Sequence, residues 1–241
     1  MTLFNGLHKK NYGQSLGGIS FHLSDNGSIP VPSHWEHVNN SEPYQLVPLI
    51  KYCNEYNVVA NRFGESMDKN RITNVLRIQN LDLWEFYCRK KAQLKKKKGL
   101  SEIAEEMLFH GTSNESANAI CIQNFDWRIN GIHGAVYGKG TYFAKKASIS
   151  RQYCKNTGKR GPTMKLHGVT ADCQFFKKSM FLARVLVGEH TTGNSTFIRP
   201  PSKDGSLTNL YDSCVDNPFS PLIYVIFDSN QIYPEYLIQF V

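Results

Sequence analysis

Apolar side chains recur at helical spacing in the first half of the chain. A first helix, ending near Gly64, is predicted by four residues three or four positions apart: Tyr52, Tyr56, Val59 and Phe63. Asn80 suits the N-cap of a second helix, which continues to Gly99 and aligns three residues on one face: Leu81, Trp84 and Cys88. Both stripes are typical of helices that bury one face in a core.

The second half of the chain instead carries short runs of β-branched and aromatic residues. Three such runs, at 180–187, 222–227 and 236–240, predict buried strands. An earlier run, 72–78, predicts another strand, with Arg77 at its surface. Because strands gather late and helices early, without regular alternation, the pattern indicates an α+β fold.

Two boundaries follow from local composition. Residues 1–31 are rich in Gly, Ser and Asn and are interpreted as a linker or the remnant of an upstream module, so the globular domain is expected over 32–241. Within that domain, Thr112 and Glu115 stand three apart, which predicts a capping box for a helix running through Cys121.

Composition narrows the class of protein. The chain has 241 residues, 41% of them hydrophobic, which is enough for a sizeable core. No apolar run approaches the roughly 18 residues that span a bilayer, and the start lacks a signal-peptide pattern. We therefore expect an intracellular protein, nuclear or cytoplasmic, with no membrane partner.

The cysteines lie far apart with no C-x-x-C, so free thiols and no metal site are expected: Cys53, Cys88, Cys121, Cys154, Cys173 and Cys214.

Positive charge is concentrated in one place. The formal net charge is +8, and much of the excess lies in Lys95–Lys98. Two interpretations stay open, a solvated helix end and a contact with RNA. The first is favoured because no aromatic residues interleave with the lysines as a stacking platform would require. A basic balance would also attract an anionic dinucleotide.

The densest candidate chemistry lies between residues 108 and 154. His110-Gly111-Thr112 opens this stretch, and Gly138-Lys139-Gly140 runs into the aromatic Tyr142, with Tyr153 further on. Glycine lets backbone approach a ligand closely, and tyrosine offers a flat apolar face. The pattern indicates a polar ligand held between backbone amides and aromatic rings. A Walker A loop is excluded, because position 133 is histidine and position 140 is glycine.

These motifs resemble the catalytic domain of the poly(ADP-ribose) polymerase family, whose fold is related to that of diphtheria toxin. The likeness continues through Asn217-Pro218-Phe219 and 222–228 and is strongest to the mono-ADP-ribosylating branch that carries zinc-finger and WWE modules. It implies two packed, mainly antiparallel β-sheets with flanking helices and NAD⁺ bound as co-substrate in the cleft between them. It also implies protein substrates, including the protein itself.

The resemblance assigns roles to single residues. It implies that His110 hydrogen-bonds the adenine ribose and that the backbone of Gly111 grips the nicotinamide amide. Tyr142 would form the floor of the nicotinamide site, Ser150 would hydrogen-bond the carboxamide, and Tyr153 would stack on the pyridinium. The implied NAD⁺ site comprises His110, Gly111, Thr112, Gly140, Tyr142, Ala144, Ser150 and Tyr153. A tryptophan at position 111 is expected to fill the nicotinamide site.

The third family motif decides the expected outcome of the reaction. Polymerising members carry a glutamate that the alignment places at Ile223, so the implied catalytic triad is His110-Tyr142-Ile223. Isoleucine can neither accept a hydrogen bond nor act as a base. Mono-ADP-ribosylation is therefore expected. The alternative is a catalytically inactive module of the same fold that serves in interactions or associates with RNA.

Overall fold

The computed structural model describes residues 21–23, 30–39, 41–128, 135–155, 165–166, 169–170 and 178–241. They fall into two compact units, one ending at Val38 and the other spanning Asn39–Val241. In the first unit, β1 (Phe21–Leu23) pairs antiparallel with β2 (Pro30–Pro32). Most of the expected linker, and Cys173, lie outside the described residues, so the linker and the domain limits stay predictions.

The described part of the second unit combines strands with a few helices. Its helices are α1 (Asn54–Gly64), α2 (Leu81–Lys98), α3 (Asn114–Gln123) and α4 (Ala147–Ser150), the last followed by a 3-10 turn over Arg151–Tyr153. Its strands are β3 (Gln45–Pro48), β4 (Ile72–Gln79), β5 (Glu105–Thr112), β6 (Thr141–Ala144), β7 (Lys165–Leu166), β8 (Val169–Thr170), β9 (Lys178–Leu186), β10 (His190–Thr192), β11 (Ser213–Val215), β12 (Ile223–Ile226) and β13 (Ile232–Phe240).

Nine strands form one hydrogen-bonded sheet in the order β10-β11-β12-β6-β5-β9-β13-β4-β3. Every pairing in it is antiparallel except that of β10 with β11. The sheet has a weak point, because β5 and β6 meet at a single residue pair, Phe109 and Ala144. The predicted α+β fold is confirmed. Where two separate packed sheets were expected, these nine strands form one continuous sheet, which the seam divides into two halves.

Helices cover both faces of the larger half-sheet, which explains the unbroken apolar runs in its strands. In β9, Phe181 and Val185 belong to one buried cluster and Met180 and Leu182 to another. Successive side chains of a strand point to opposite faces, so each cluster lies on its own face. Helix α3 contributes Ala117, Ile120 and Cys121 to the first cluster, and α1 contributes Tyr56, Val59 and Phe63 to the second.

Three details differ from expectation. Tyr52 lies outside α1 with φ 72° and is 73% exposed, because the helix begins only after the Cys53 cap. Arg77 is buried, since its Nη1 donates to Glu55 Oε2 at 2.6 Å. The capping box is wrong by one residue, because the Ser113 hydroxyl accepts the Ser116 N–H and caps α3 itself.

The lysine run at the end of α2 is partly built into the fold. Lys95 pairs with Glu102 at 2.9 Å, and Lys98, whose side chain is only 11% exposed, pairs with the buried Asp212 at 2.6 Å. This end of the helix is therefore not simply solvated. Binding to RNA stays a prediction, and its test should neutralise Lys96 and Lys97, because changing Lys98 would leave Asp212 buried without its cation.

Candidate active site

A cavity of about 340 Å³ opens at the seam between β5 and β6. Its wall is formed by the end of β5, the start of α3, β6, the α4 turn and the first residue of β12. The structure brings all nine residues singled out from the sequence to this wall: His110, Gly111, Thr112, Gly140, Tyr142, Ala144, Ser150, Tyr153 and Ile223. Residues more than a hundred positions apart thus meet at one site.

His110 is held in one tautomer. Its Nδ1 lies 2.8 Å from the carbonyl oxygen of Tyr142. A carbonyl can only accept, so Nδ1 carries the proton, and Nε2 of the neutral ring is left as an acceptor. Burial lowers the pKa of His110 and outweighs the opposing effect of the Tyr142 carbonyl, so the ring is neutral near pH 7. The ring packs against Phe125 and Phe143 at centroid distances of 4.9 and 5.4 Å.

Gly111 occupies a position that tolerates no side chain. A Cβ there would lie 2.0 Å from the carbonyl oxygen of Ser150 and 3.0 Å from Cys154 Sγ. The expectation that a tryptophan would fill the ligand site is therefore wrong in direction, because the side chain would point into the backbone of α4. Glycine at this position lets β5 and α4 pack together.

Two other glycines of the motif serve packing against the end of β12. A Cβ on Gly140 would lie 2.7 Å from the carbonyl oxygen of Ile226. Gly138 has φ +131°, and its Cβ would lie 2.7 Å from the ring of Phe227. The turn before β6 thus needs glycine for close approach of protein to protein, a requirement that the sequence alone does not distinguish from approach to a ligand.

Tyr142 fixes this turn through its hydroxyl group. The hydroxyl accepts the Tyr137 N–H at 2.9 Å and donates to the Gly138 carbonyl at 2.9 Å. Burial raises the pKa of Tyr142 against the opposing effect of those bonds, so the phenol stays protonated. The hydroxyl is therefore occupied by the protein, and the half-buried ring contributes to the cavity wall.

The opposite wall is formed by α4 and the turn that follows it. The buried Ser150 hydroxyl donates to the Phe109 carbonyl at 3.0 Å, so it offers only its lone pairs to a ligand. Tyr153 is 58% exposed, which leaves its ring accessible at the mouth. Thr112 is buried at the end of β5, and Ala144 pairs with both Phe109 and Ile223.

Ile223 begins β12 directly opposite Ala144 and contributes an aliphatic side chain to the cavity. Its backbone N–H donates to Asp216 Oδ1 at 3.0 Å, which holds the start of the strand in place. None of the described lining residues is an aspartate or a glutamate. The described wall therefore supplies no carboxylate that could act as a general base.

Part of the wall is cationic. Arg128, Lys139 and Lys155 line the cavity together with Trp127. Arg128 is also bound by Asp126, with Nε 2.8 Å from Oδ1. Lys139 belongs to the glycine motif that the sequence analysis named, whereas sequence reasoning missed the other three, which follow no periodic pattern. Over the described ranges, no three His, Cys, Asp or Glu side chains are grouped as metal ligands, and no helix is long and apolar enough to cross a bilayer.

Comparison with known proteins agrees with this architecture. The family model for the poly(ADP-ribose) polymerase catalytic domain matches residues 53–241. Human protein mono-ADP-ribosyltransferase PARP11 is 62% identical over 229 residues, covering 94% of this chain and 68% of that protein. Human protein mono-ADP-ribosyltransferase PARP12 is 42% identical over 215 residues, covering 89% of this chain and 28% of that protein. The chain belongs to the poly(ADP-ribose) polymerase catalytic-domain family and has its ADP-ribosyltransferase fold.

Proposed function

We propose that this protein transfers a single ADP-ribose unit from NAD⁺ to protein side chains, itself included, and releases nicotinamide. The observation that carries the proposal is Ile223, an aliphatic residue in the cavity wall at the position where polymerising members carry glutamate. The relatives named as mono-ADP-ribosyltransferases support the same reaction.

The nicotinamide end of NAD⁺ fits between β5 and the α4 turn. The carbonyl of Phe109 faces Ser150, and backbone groups two residues apart on a strand share an edge, so we infer that the Gly111 amide faces the cavity as well. Ser150 then offers an acceptor to the carboxamide NH₂ group. The rings of Tyr142 and Tyr153 provide faces for the cationic pyridinium, an interaction of about 0.5–2 kcal/mol.

The adenosine end fits the other groups of the wall. His110, neutral and protonated at Nδ1, leaves Nε2 to accept a hydrogen bond from a ribose hydroxyl. Lys139, Lys155 and Arg128 supply positive charge for the diphosphate. The cavity thus complements a molecule with a cationic ring at one end and an anionic diphosphate in its middle.

The residues of this site act by orientation and exclusion of water. In the transfer, the bond between the ribose carbon and the nicotinamide nitrogen breaks, its electron pair leaves with nicotinamide, and an acceptor oxygen bonds to the ribose carbon. Because Ile223 cannot remove a proton, an acceptor that already carries a carboxylate suits the site: it has no proton to lose. The same lack disfavours a sugar hydroxyl as acceptor, which limits transfer to one unit.

The contributions of the Tyr142 hydroxyl and of its aromatic ring can be separated by mutation. Tyr142→Phe keeps the ring and loses two hydrogen bonds of roughly 1 kcal/mol each, about 2 kcal/mol together, so we expect the KM for NAD⁺ to rise by up to about thirtyfold. Tyr142→Ala also loses the ring and should raise it at least about a hundredfold. Steady-state nicotinamide release measures both. Equal effects of the two substitutions would mean that the ring does not face the ligand.

The direct test incubates the purified protein with NAD⁺ labelled on its adenine side and separates the products on a denaturing gel. A discrete labelled band, lost in His110→Ala, is expected. A band that smears upward would contradict single-unit transfer and our interpretation of Ile223. If the protein neither takes up label nor shows a thermal shift with NAD⁺, the inactive interaction module is favoured. The nuclear or cytoplasmic location stays a prediction.

A further inference from the structure

Asn124 ends α3 in a strained backbone conformation. It has φ 67° and ψ −174°, and among the residues of the described ranges that are not glycine, only Tyr52 shares a positive φ. The combination found at Asn124 belongs almost entirely to glycine, and residues held in it cluster at functional sites. Tyr52 lies at the surface, whereas Asn124 is only 6% exposed. Such strain persists only where the surrounding structure holds it.

The side chain of Asn124 holds this conformation. Its Nδ2 donates to the carbonyl oxygens of Ser229 and Ile232, both at 2.9 Å, and its Oδ1 accepts the Phe125 N–H at 2.9 Å. Because carbonyl oxygens can only accept, the side-chain amide has a single orientation that satisfies these partners. The side chain thus ties the end of α3 to the turn before β13 and to the first residue of that strand.

The strained turn directs the ring of Phe125 into the core behind His110. Phe125 is 3% exposed, and its ring meets the imidazole edge to face at a centroid distance of 4.9 Å. The rings of Phe143 and Phe181 surround it at 5.1 and 5.4 Å. Phe125 is not among the described residues of the cavity wall, so it acts on a ligand only through His110.

His110 needs this contact because one hydrogen bond does not fix a ring. The bond from Nδ1 to the Tyr142 carbonyl holds a single atom, and the imidazole can still swing about it. The Phe125 ring, whose plane lies 71° from that of the imidazole, and the Phe143 ring, at 51°, limit this motion. The plane of the imidazole in turn sets the direction in which Nε2 accepts a hydrogen bond.

We propose that Asn124 and Phe125 are positioning residues for His110. Asn124 holds a turn that the backbone would otherwise leave, the turn places Phe125 against the imidazole, and the imidazole then presents Nε2 to the ribose hydroxyl. The proposal rests on the function proposed above and adds to it two residues that do not line the cavity.

Substitutions at Asn124 test the role of the strain. Asn124→Gly and Asn124→Ala both remove the three side-chain hydrogen bonds, but only glycine adopts this backbone conformation without help. Asn124→Ala should raise the KM for NAD⁺ about fivefold, the effect of one lost hydrogen bond, whereas Asn124→Gly should stay within about twofold of the parent protein. Tyr52→Ala, at the other strained residue, is the control and should match the parent protein. Equal KM values for the two Asn124 variants would overturn the role of the strain.

Phe125→Leu tests the contact with the imidazole. It should raise the KM for NAD⁺ about fivefold and leave kcat unchanged, because the ground state and the transition state lose the same bond. Phe63→Leu is the matched control, since Phe63 is fully buried and meets Phe240 edge to face at 5.4 Å in the cluster on the other face of the sheet. An equal rise in Phe63→Leu, or no rise in Phe125→Leu, would overturn the positioning role. If Phe125→Leu does not fold, the Asn124 variants, which keep the phenylalanine, decide.

The Nδ1 proton of His110 gives a readout that needs no NAD⁺. In the parent protein it is hydrogen-bonded and shielded from water, so its NMR signal should be distinct. The signal should broaden beyond detection in Phe125→Leu and Asn124→Ala, where the ring moves, and should persist in Asn124→Gly and Phe63→Leu. A parent-like signal in the first two variants would overturn the proposal. Absence of nicotinamide release by the parent protein would instead overturn the proposed function, and this signal would still decide the positioning role.

Discussion

Gly111→Ala should abolish measurable NAD⁺ binding, raising the Kd at least about a hundredfold, or about 3 kcal/mol. The added methyl group would lie 2.0 Å from the Ser150 carbonyl oxygen, where no Cβ can stay. Strand β5 and helix α4 must therefore move apart. Since they carry the Gly111 amide and the Ser150 hydroxyl, the groups proposed to bind the carboxamide would separate.

Thermal unfolding with and without NAD⁺ measures this effect. The variant should unfold earlier by itself, because overpacking costs typically about 1–3 kcal/mol, and its midpoint should no longer respond to NAD⁺. Gly64→Ala is the matched control: its new Cβ would find only ordinary contacts with Lys69, the nearest at 3.5 Å. If Gly111→Ala kept the NAD⁺ response of the parent protein, the proposed nicotinamide position would be wrong.

Arg184→Ala should lower the free energy of unfolding by about 3–5 kcal/mol. Arg184 binds both carboxylate oxygens of Glu235 at 2.8 and 2.9 Å, and its third nitrogen lies 2.7 Å from Glu105. The Glu235 side chain is only 4% exposed, so without the guanidinium a carboxylate stays buried and uncompensated. Chemical denaturation measures the loss. Arg62→Ala, which breaks an exposed pair with Glu65, should cost no more than about 1 kcal/mol.

The ion pairs of Arg184 also make the free energy of unfolding depend on pH. Burial raises the pKa of Glu105, but Arg184 and the hydrogen bonds from Lys91 and Tyr87 outweigh it, so the net pKa lies below the ordinary value of 4.5. A carboxyl group with a lowered folded-state pKa stabilises the fold above its unfolded pKa and loses that contribution as the pH falls through its folded pKa. Unfolding should therefore become easier below about pH 4.5 in the parent protein. An equal acid response in Arg184→Ala would contradict this origin.

The periodicity of apolar residues predicted the helices and strands but not the tertiary contacts of single residues. The spacing of Val59 and Phe63 placed α1 correctly, because one buried face is enough to impose that pattern. Arg77 was expected at the surface because it is charged. It is buried instead, because Glu55, 22 residues earlier, compensates its charge inside the fold. Tyr52 matched the helical spacing by coincidence, since the turn before Cys53 breaks the helix. Such partners depend on tertiary contacts that no local pattern contains.

In the candidate site too, some residues were predictable from the sequence and others were not. Motif residues such as His110 and Ile223 were found because their sequence contexts are distinctive, and the fold brings them to one cavity. Their roles toward NAD⁺ remain predictions. Arg128 and Lys155 were missed because a lone basic residue in a loop carries no signal. The direction of a Cβ at Gly111 could not be read at all, because it depends on where α4 packs.

The single residue pair that joins β5 to β6 has a mechanical consequence. Little hydrogen bonding holds the two half-sheets together along this line, and the cavity straddles it. A molecule bound across the cavity contacts both half-sheets and links one to the other. Ligand binding free energy then opposes separation of the halves. Slowed amide hydrogen exchange is thus expected along the β5 and β6 edges, beyond the residues that the ligand touches.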